Sequence, residues 1–198
     1  MSSGGCCAKG SLIKLSDGSQ KKVEDIKKGD KVITVNIDNN KITEEISEVE
    51  CLIITKCKNG YEYMVELDNN LKITPYHPIY TQSMLKYQWL FPIDISTSKP
   101  QKIESDKMYT FIVKNRKSVI VNDYIFATLG HNLVENDVIK HDYFGTDRII
   151  DDLEMFKSYK TGYVLLDKCM FLRGKDNKIS GIMDIPKTFI ESLYFANL

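Results

Sequence analysis

The sequence lacks the features that would tie it to a membrane or to a charged partner. No apolar run reaches the roughly 18–20 residues that a spanning helix needs. Lysine plus arginine and aspartate plus glutamate balance at 27 each. No excess of either sign therefore marks a nucleic-acid or anionic-lipid surface. Met1-Ser2-Ser3-Gly4-Gly5 leads into no apolar core, so it does not read as a signal peptide. It reads as an expression tag or the tail of an upstream domain. The five cysteines are odd in number and follow no disulfide framework. Cys51 and Cys57 stand too far apart for the usual zinc knuckle. Cys169, in the apolar run Leu165–Leu172, reads as a buried thiol.

What is present up to about residue 130 is strand after strand. Ser11–Leu15, Lys31–Asn36, Tyr61–Leu67, Leu71–Thr74, Met108–Val113, Ser118–Val121 and Tyr124–Leu129 are short and rich in β-branched and aromatic residues. Ile42–Lys58 is one long strand or a bent pair. Asp-Gly, Gly-Asp, Asn-Gly and Asn-Asp turns separate these segments. Val23–Lys27 fits a single helical turn. The spacing predicts a mainly β domain.

The texture then changes. Asp147–Ser158 carries Ile149, Leu153 and Phe156 at helical spacing, with Asp151 and Asp152 outward and Thr146 as N-cap. Tyr163–Leu166 and Cys169–Leu172 read as a strand pair, and Pro186–Phe195 as a last short helix. No repeat or flexible linker intervenes, so this third of the chain is expected to pack on the β domain.

Four motifs carry chemistry. Gly5-Cys6 lies just ahead of the strand Ser11–Leu15 and its Asp17-Gly18 turn. Val23–Asp30 runs through Gly29-Asp30 into the next strand. Ile73-Thr74-Pro75-Tyr76-His77-Pro78-Ile79 is a strand ending in Thr-x-x-His. Val121-Asn122-Asp123-Tyr124 leads on to Gly130-His131-Asn132.

In this order the motifs resemble the Hint (Hedgehog/intein) superfamily of autoprocessing domains. The branch most similar is Vint, found beside von Willebrand factor A domains. Its blocks match Ile73–Ile79, Trp89-Leu90-Phe91-Pro92, Thr128-Leu129-Gly130-His131 and His141-Asp142-Tyr143-Phe144-Gly145-Thr146. The resemblance implies a horseshoe-like all-β Hint fold with a small α+β C-terminal extension. It divides the chain into a flank at 1–5, a Hint core at 6–132 and an extension at 133–198.

The resemblance also implies single-turnover autocatalysis rather than turnover of a separate substrate. Cys6 would attack the Gly5 carbonyl through a five-membered ring, an N-to-S acyl shift that makes a thioester. His77 would protonate the departing nitrogen, or hydrogen-bond the amide and twist it. Thr74 would hold the peptide in register with His77, and the prolines on either side of Tyr76-His77 restrict the loop. Cleavage or transfer of the upstream segment would follow. The partner is then the chain's own flanking polypeptide. An upstream von Willebrand A domain or, from Gly4-Gly5, a ubiquitin-like tail is compatible. A reduced Cys6 implies a reducing, cytoplasmic setting. No cofactor is implied, and Zn²⁺ at Cys6 and His77 would act as an inhibitor.

His131-Asn132 resembles the penultimate His and terminal Asn of inteins, where Asn cyclisation cuts the next bond. Leu133 stands where a splicing intein has Cys, Ser or Thr, and Thr110 stands where many carry Asp. Two other readings stay open: an intein-like element that also cleaves after Asn132, and a catalytically silent Hint-fold binding module. Plainer roles are set beside these. Cys7 reads as a packed neighbour, His141 as structural, Trp89 as core, and Lys21, Lys22, Lys27 and Lys28 as a solvated face.

Overall fold

The structure is a computed structural model that describes residues 5–38, 41–83, 86–95, 99–167 and 169–184. Its strands, in chain order, are β1 (Cys7–Ala8), β2 (Leu12–Lys14), β3 (Gln20–Lys22), β4 (Lys31–Asp38), β5 (Lys41–Lys56), β6 (Tyr61–Glu66), β7 (Lys72–Ile73) and β8 (Ile79–Ser83). They continue with β9 (Lys86–Leu90), β10 (Gln101–Glu104), β11 (Lys107–Val113), β12 (Ser118–Val121), β13 (Tyr124–Phe126), β14 (Tyr163–Leu166), β15 (Cys169–Arg173) and β16 (Ile179–Asp184). The helices are α1 (Pro92–Ile95) and α2 (Asp147–Glu154). The architecture is mainly β.

The segment from Ile42 is one continuous strand, β5, which serves two ladders. Its first half, Lys41–Glu48, pairs with β4, and its second half, from Val49 to Lys56, pairs with β11. The two halves differ in burial. Ile42 and Ile46 are exposed, whereas Val49, Cys51, Leu52 and Ile53 are buried. Around this rail the strands order as β10-β6-β7-β1-β11-β5-β4-β12-β13-β8-β9. The central core gathers Cys7, Ile13, Val32, Ile73, Phe111, Val119 and Phe126. Burying such side chains is the main favourable term in folding.

The segment after residue 133 is built onto the same rail. β14 pairs in parallel with Leu52–Thr55 of β5, which buries Val164 and Leu166. α2 lays Ile149, Ile150 and Leu153 against Cys51, Ile53 and Ile112. Two carboxylates tie the layers together. Asp152 Oδ2 accepts from the Tyr143 hydroxyl at 2.7 Å and from the Ile182 amide at 2.9 Å. Glu50 Oε1 accepts from the Tyr159 hydroxyl at 2.6 Å, and Arg116 pairs with Glu50 at 3.1 Å.

Several expectations are corrected. Tyr163–Leu166 and Cys169–Leu172 are not partners. The first segment finds the open edge of β5, and the second folds back on β16 through the turn at Asp176-Asn177. Thr146 does stand at the N-cap position of α2, but its hydroxyl makes no cap bond and donates backwards to Asp142 O and Tyr143 O. Asp152 points inward as an acceptor, and Cys169 is half-buried. Regular strand stops at Phe126: the Ala127 amide still donates to Pro78 O in register, but Pro78 has no N–H to return the bond. Lys21 is paired with Asp30 at 2.7 Å rather than simply solvated. Pro186–Phe195 lies outside the described residues.

Replacing Asp152 by Ala leaves the Tyr143 hydroxyl and the Ile182 amide without their acceptor. A stability loss of about 2–3 kcal/mol is expected by urea unfolding. An unchanged midpoint would show that Asp152 fastens nothing.

Candidate functional site

The site forms where β1, two residues long, is held between β7 and β11. Cys7 pairs with Ile73 on one side and Tyr109 on the other. The ladder extends one residue to Cys6. The Thr74 amide donates to Cys6 O at 2.9 Å, and the Cys6 amide donates to Thr74 Oγ1 at 3.0 Å. The nitrogen of the Gly5–Cys6 peptide is thus bonded by a side chain from the Thr-x-x-His motif. The same motif closes a turn, with the His77 amide donating to Thr74 O at 3.2 Å. This swings His77 back over Gly5.

Gly5 and His77 are in van der Waals contact without room between them. A β-carbon on Gly5 would overlap the imidazole at Nδ1 and Cγ. His77 is 3% exposed and stacks on Phe126, ring centres 3.7 Å apart. Its nitrogens face the Gly5 and Ala127 backbones without completing a hydrogen bond of good geometry. Burial pushes its pKa down to about 3, against those two backbone neighbours, and His131 lowers it further. The resting imidazole is neutral.

Cys6 is 1% exposed. Burial pushes its thiol well up, Cys7 adds to this, and the Thr55 hydroxyl acts in the opposite direction. The resting group is therefore the thiol, and ionising it requires a base. Cys6 lines a cavity of about 20 Å³ with Thr55, Thr110, Ile53 and Leu129, and Phe144, Leu153 and Leu166 of the later segment add to its wall. Cys7 points the other way into the central core, its Sγ 3.5 Å from Tyr109 O. Burial pushes its thiol up to about 12.

Gly5, Cys6, Thr74 and His77 are thus brought together; His131 acts on His77 electrostatically, but with Asn132 it lines a different cavity. His131 Nδ1 accepts from the Leu133 amide at 3.0 Å, and burial followed by the charge of His141 lowers its pKa to about 4. Asn132 adopts φ 57°, donates its amide to Gly145 O at 2.6 Å, and its Nδ2 lies 3.4 Å from Asp147 Oδ1. Both residues line a different cavity of about 190 Å³, with Asn115, Arg116, Lys117 and Ser118. His141 Nδ1 accepts from the Tyr143 and Phe144 amides at 3.1 Å each, which organises the turn before α2. Trp89 is buried edge-to-face on Tyr80.

Two site residues were not visible in the motifs. Thr55 reaches Cys6 from β5, and Phe126 supplies the surface on which His77 stacks. Both come from strands remote in sequence, and only the ladder register could have pointed to them. Among the described residues no three His, Cys, Asp or Glu side chains gather to hold a metal ion. Nor is any helix among them long and apolar enough to cross a membrane.

The site thus joins a strand-held Gly-Cys peptide to a Thr-x-x-His turn. The sequence matches the Vint family, described as a Hint-domain, over residues 5–181. The chain belongs to that family. Solved structures similar to it include the bacterial intein-like domain from Clostridium thermocellum, 18% identical, covering 64% of this chain and 100% of that one, with a TM-score of 0.49. The Ssp DnaB mini-intein variant M86 is 17% identical over 65% of this chain and 98% of its own, with a TM-score of 0.44. The DnaB intein from Synechocystis sp. PCC 6803 is 17% identical over 63% and 99%, with a TM-score of 0.40. No curated protein matches.

The depressed pKa of His77 sets a stability slope. Folded, the ring binds a proton only near pH 3, whereas the ordinary value is 6.5. Below about 6.5 the unfolded chain takes up a proton that the folded chain refuses, so stability falls as the pH drops towards 3. The thermal midpoint of the His77→Gln variant is expected to fall less steeply between pH 7 and 4 than that of the wild type. Equal slopes would mean that His77 titrates normally in the fold.

Proposed function

We propose that the chain cleaves its own backbone at Gly5–Cys6 by an N-to-S acyl shift, and that the upstream polypeptide is its substrate. Membership of the Hint family supports self-processing in general. The observation that carries the particular bond is the hydrogen bond from the Cys6 amide to Thr74 Oγ1, with Gly5 pressed against His77.

The roles follow from the protonation states. Cys6 rests as a thiol and His77 as a neutral imidazole. The imidazole accepts the thiol proton as Sγ attacks the Gly5 carbonyl carbon. It then delivers that proton to the Cys6 nitrogen as the C–N bond breaks. A base with depressed affinity gives its proton up readily. Thr74 Oγ1 holds the nitrogen and keeps the peptide in register with the ring. The products are a Gly5–Sγ thioester and a Cys6 amine.

In this reading residues 6–132 form the processing core and 133–198 an extension, whose described part contributes Phe144, Leu153 and Leu166 to the wall beside Cys6. The thiol must stay reduced, which suits a reducing compartment. Cleavage after Asn132 draws no support from the geometry. The Asn132 amide group is turned to Asp147, Leu133 follows it, and His131 accepts from the Leu133 nitrogen instead of donating to it.

A carrier protein fused ahead of residue 1 tests the assignment. With added thiol, wild type should release the carrier, and Cys6→Ala should release none. Loss of the acid–base group in His77→Gln should slow release by about 10²–10⁴. Gly5→Ala should also slow it, because the new methyl overlaps the ring. Release from Cys6→Ala at the wild-type rate would overturn the proposal.

A further inference from the structure

We propose that the acyl group on Cys6 is passed to a single water molecule, seated in the cavity that Cys6 shares with Thr55 and Thr110 and held there by the Thr110 hydroxyl. The inference rests on the thioester reading above and names its acceptor.

Three observations carry it. The first is size. The cavity measures about 20 Å³, and one water needs roughly 10–15 Å³ of such space. The second is an unanswered polar group. Thr110 is buried in β11, and its Oγ1 has no hydrogen-bond partner. Buried hydroxyls are almost always satisfied, by protein or by ordered water. The third is register. Cys7 lies across from Tyr109 in an antiparallel pair, so the next rung sets Cys6 across from Thr110. The hydroxyl, the cavity and the nucleophile therefore share one edge of the ladder.

The rest of the wall is apolar, from Ile53, Leu129, Phe144, Leu153 and Leu166. Such a wall leaves the threonine hydroxyls as the polar groups beside the one water-sized space. In the step itself the water oxygen bonds to the Gly5 carbonyl carbon and the C–S bond breaks. One water proton goes to the departing Sγ, restoring the Cys6 thiol. The other leaves with Gly5 as a carboxylic acid, which then ionises in solvent. Thr110 positions the water and does not change covalently. On this account the domain is a hydrolytic releaser of its upstream segment rather than a transferase.

The test uses the full chain with a carrier fused ahead of residue 1. Wild type, Thr110→Val, Thr110→Ser and the cavity-filling Leu153→Phe are compared. Samples taken over time are quenched into denaturant containing hydroxylamine, and the carrier is weighed by mass spectrometry. A carrier ending in carboxylate reports hydrolysis inside the fold, and one ending in hydroxamate reports thioester still standing at the quench. Wild type should yield mainly carboxylate, which takes up heavy oxygen from labelled water. Thr110→Val should form thioester normally but hydrolyse it about tenfold more slowly, so hydroxamate accumulates, and Thr110→Ser should restore hydrolysis. Leu153→Phe should behave like Thr110→Val, and it carries the test if the valine variant melts below the assay temperature. Hydrolysis at the wild-type rate in a folded Thr110→Val or Leu153→Phe would overturn the inference while leaving the thioester intact. Absence of both products from wild type would instead overturn the thioester reading.

Discussion

The two hydrogen bonds between Cys6 and Thr74 are the constraint on which the rest of the site depends. They are ordinary ladder and side-chain bonds, each worth about 1 kcal/mol net. Their effect is geometric. They fix the peptide groups on either side of Cys6 against a sheet interior where both flanking strands are already buried. A chain segment two residues long could not hold itself there. It is held because β7 and β11 each offer an edge, and because β5 holds β11 in turn.

Burial then sets the chemistry. The same exclusion of water raises the thiol and lowers the imidazole, so both groups rest uncharged beside one peptide. Neither is a strong reagent at rest. On the proposed mechanism the pair becomes reactive only when a proton moves between them, on the path to the tetrahedral carbon. The site thereby avoids a standing thiolate in an apolar core, which would be costly to bury and prone to oxidation.

Much of this was legible in the sequence because it is local. Thr74, His77 and the turn between them sit within four residues, and the Gly5-Cys6 pair is adjacent in sequence. Turn residues and β-branched runs marked most strand positions. What was not legible depended on partners chosen in space. Tyr163–Leu166 looks the same whether it pairs with its neighbour or with β5, and the open edge of β5 decided it. Asp152 has the spacing of an outward residue, yet Tyr143 and the Ile182 amide draw it inward. Thr55 and Phe126 enter the site through register, which no short motif encodes. His131-Asn132 shows the opposite case. The dipeptide has the right letters, but its surroundings bind the amide to Asp147.

The wall beside Cys6 has a chronology. It begins with one of the first described residues and ends with Ile182 of β16, with side chains from β5, β11, α2, β14 and β15 between them. A ribosome makes these in order, so the nucleophile emerges long before its enclosure exists. A nascent chain carries Cys6 next to an unfinished pocket open to the surrounding water. The enclosed geometry exists only after nearly the whole domain has been translated. If the chain cleaves at Gly5–Cys6 as proposed, synthesis itself acts as a timer that holds the upstream polypeptide in place until the fold is complete.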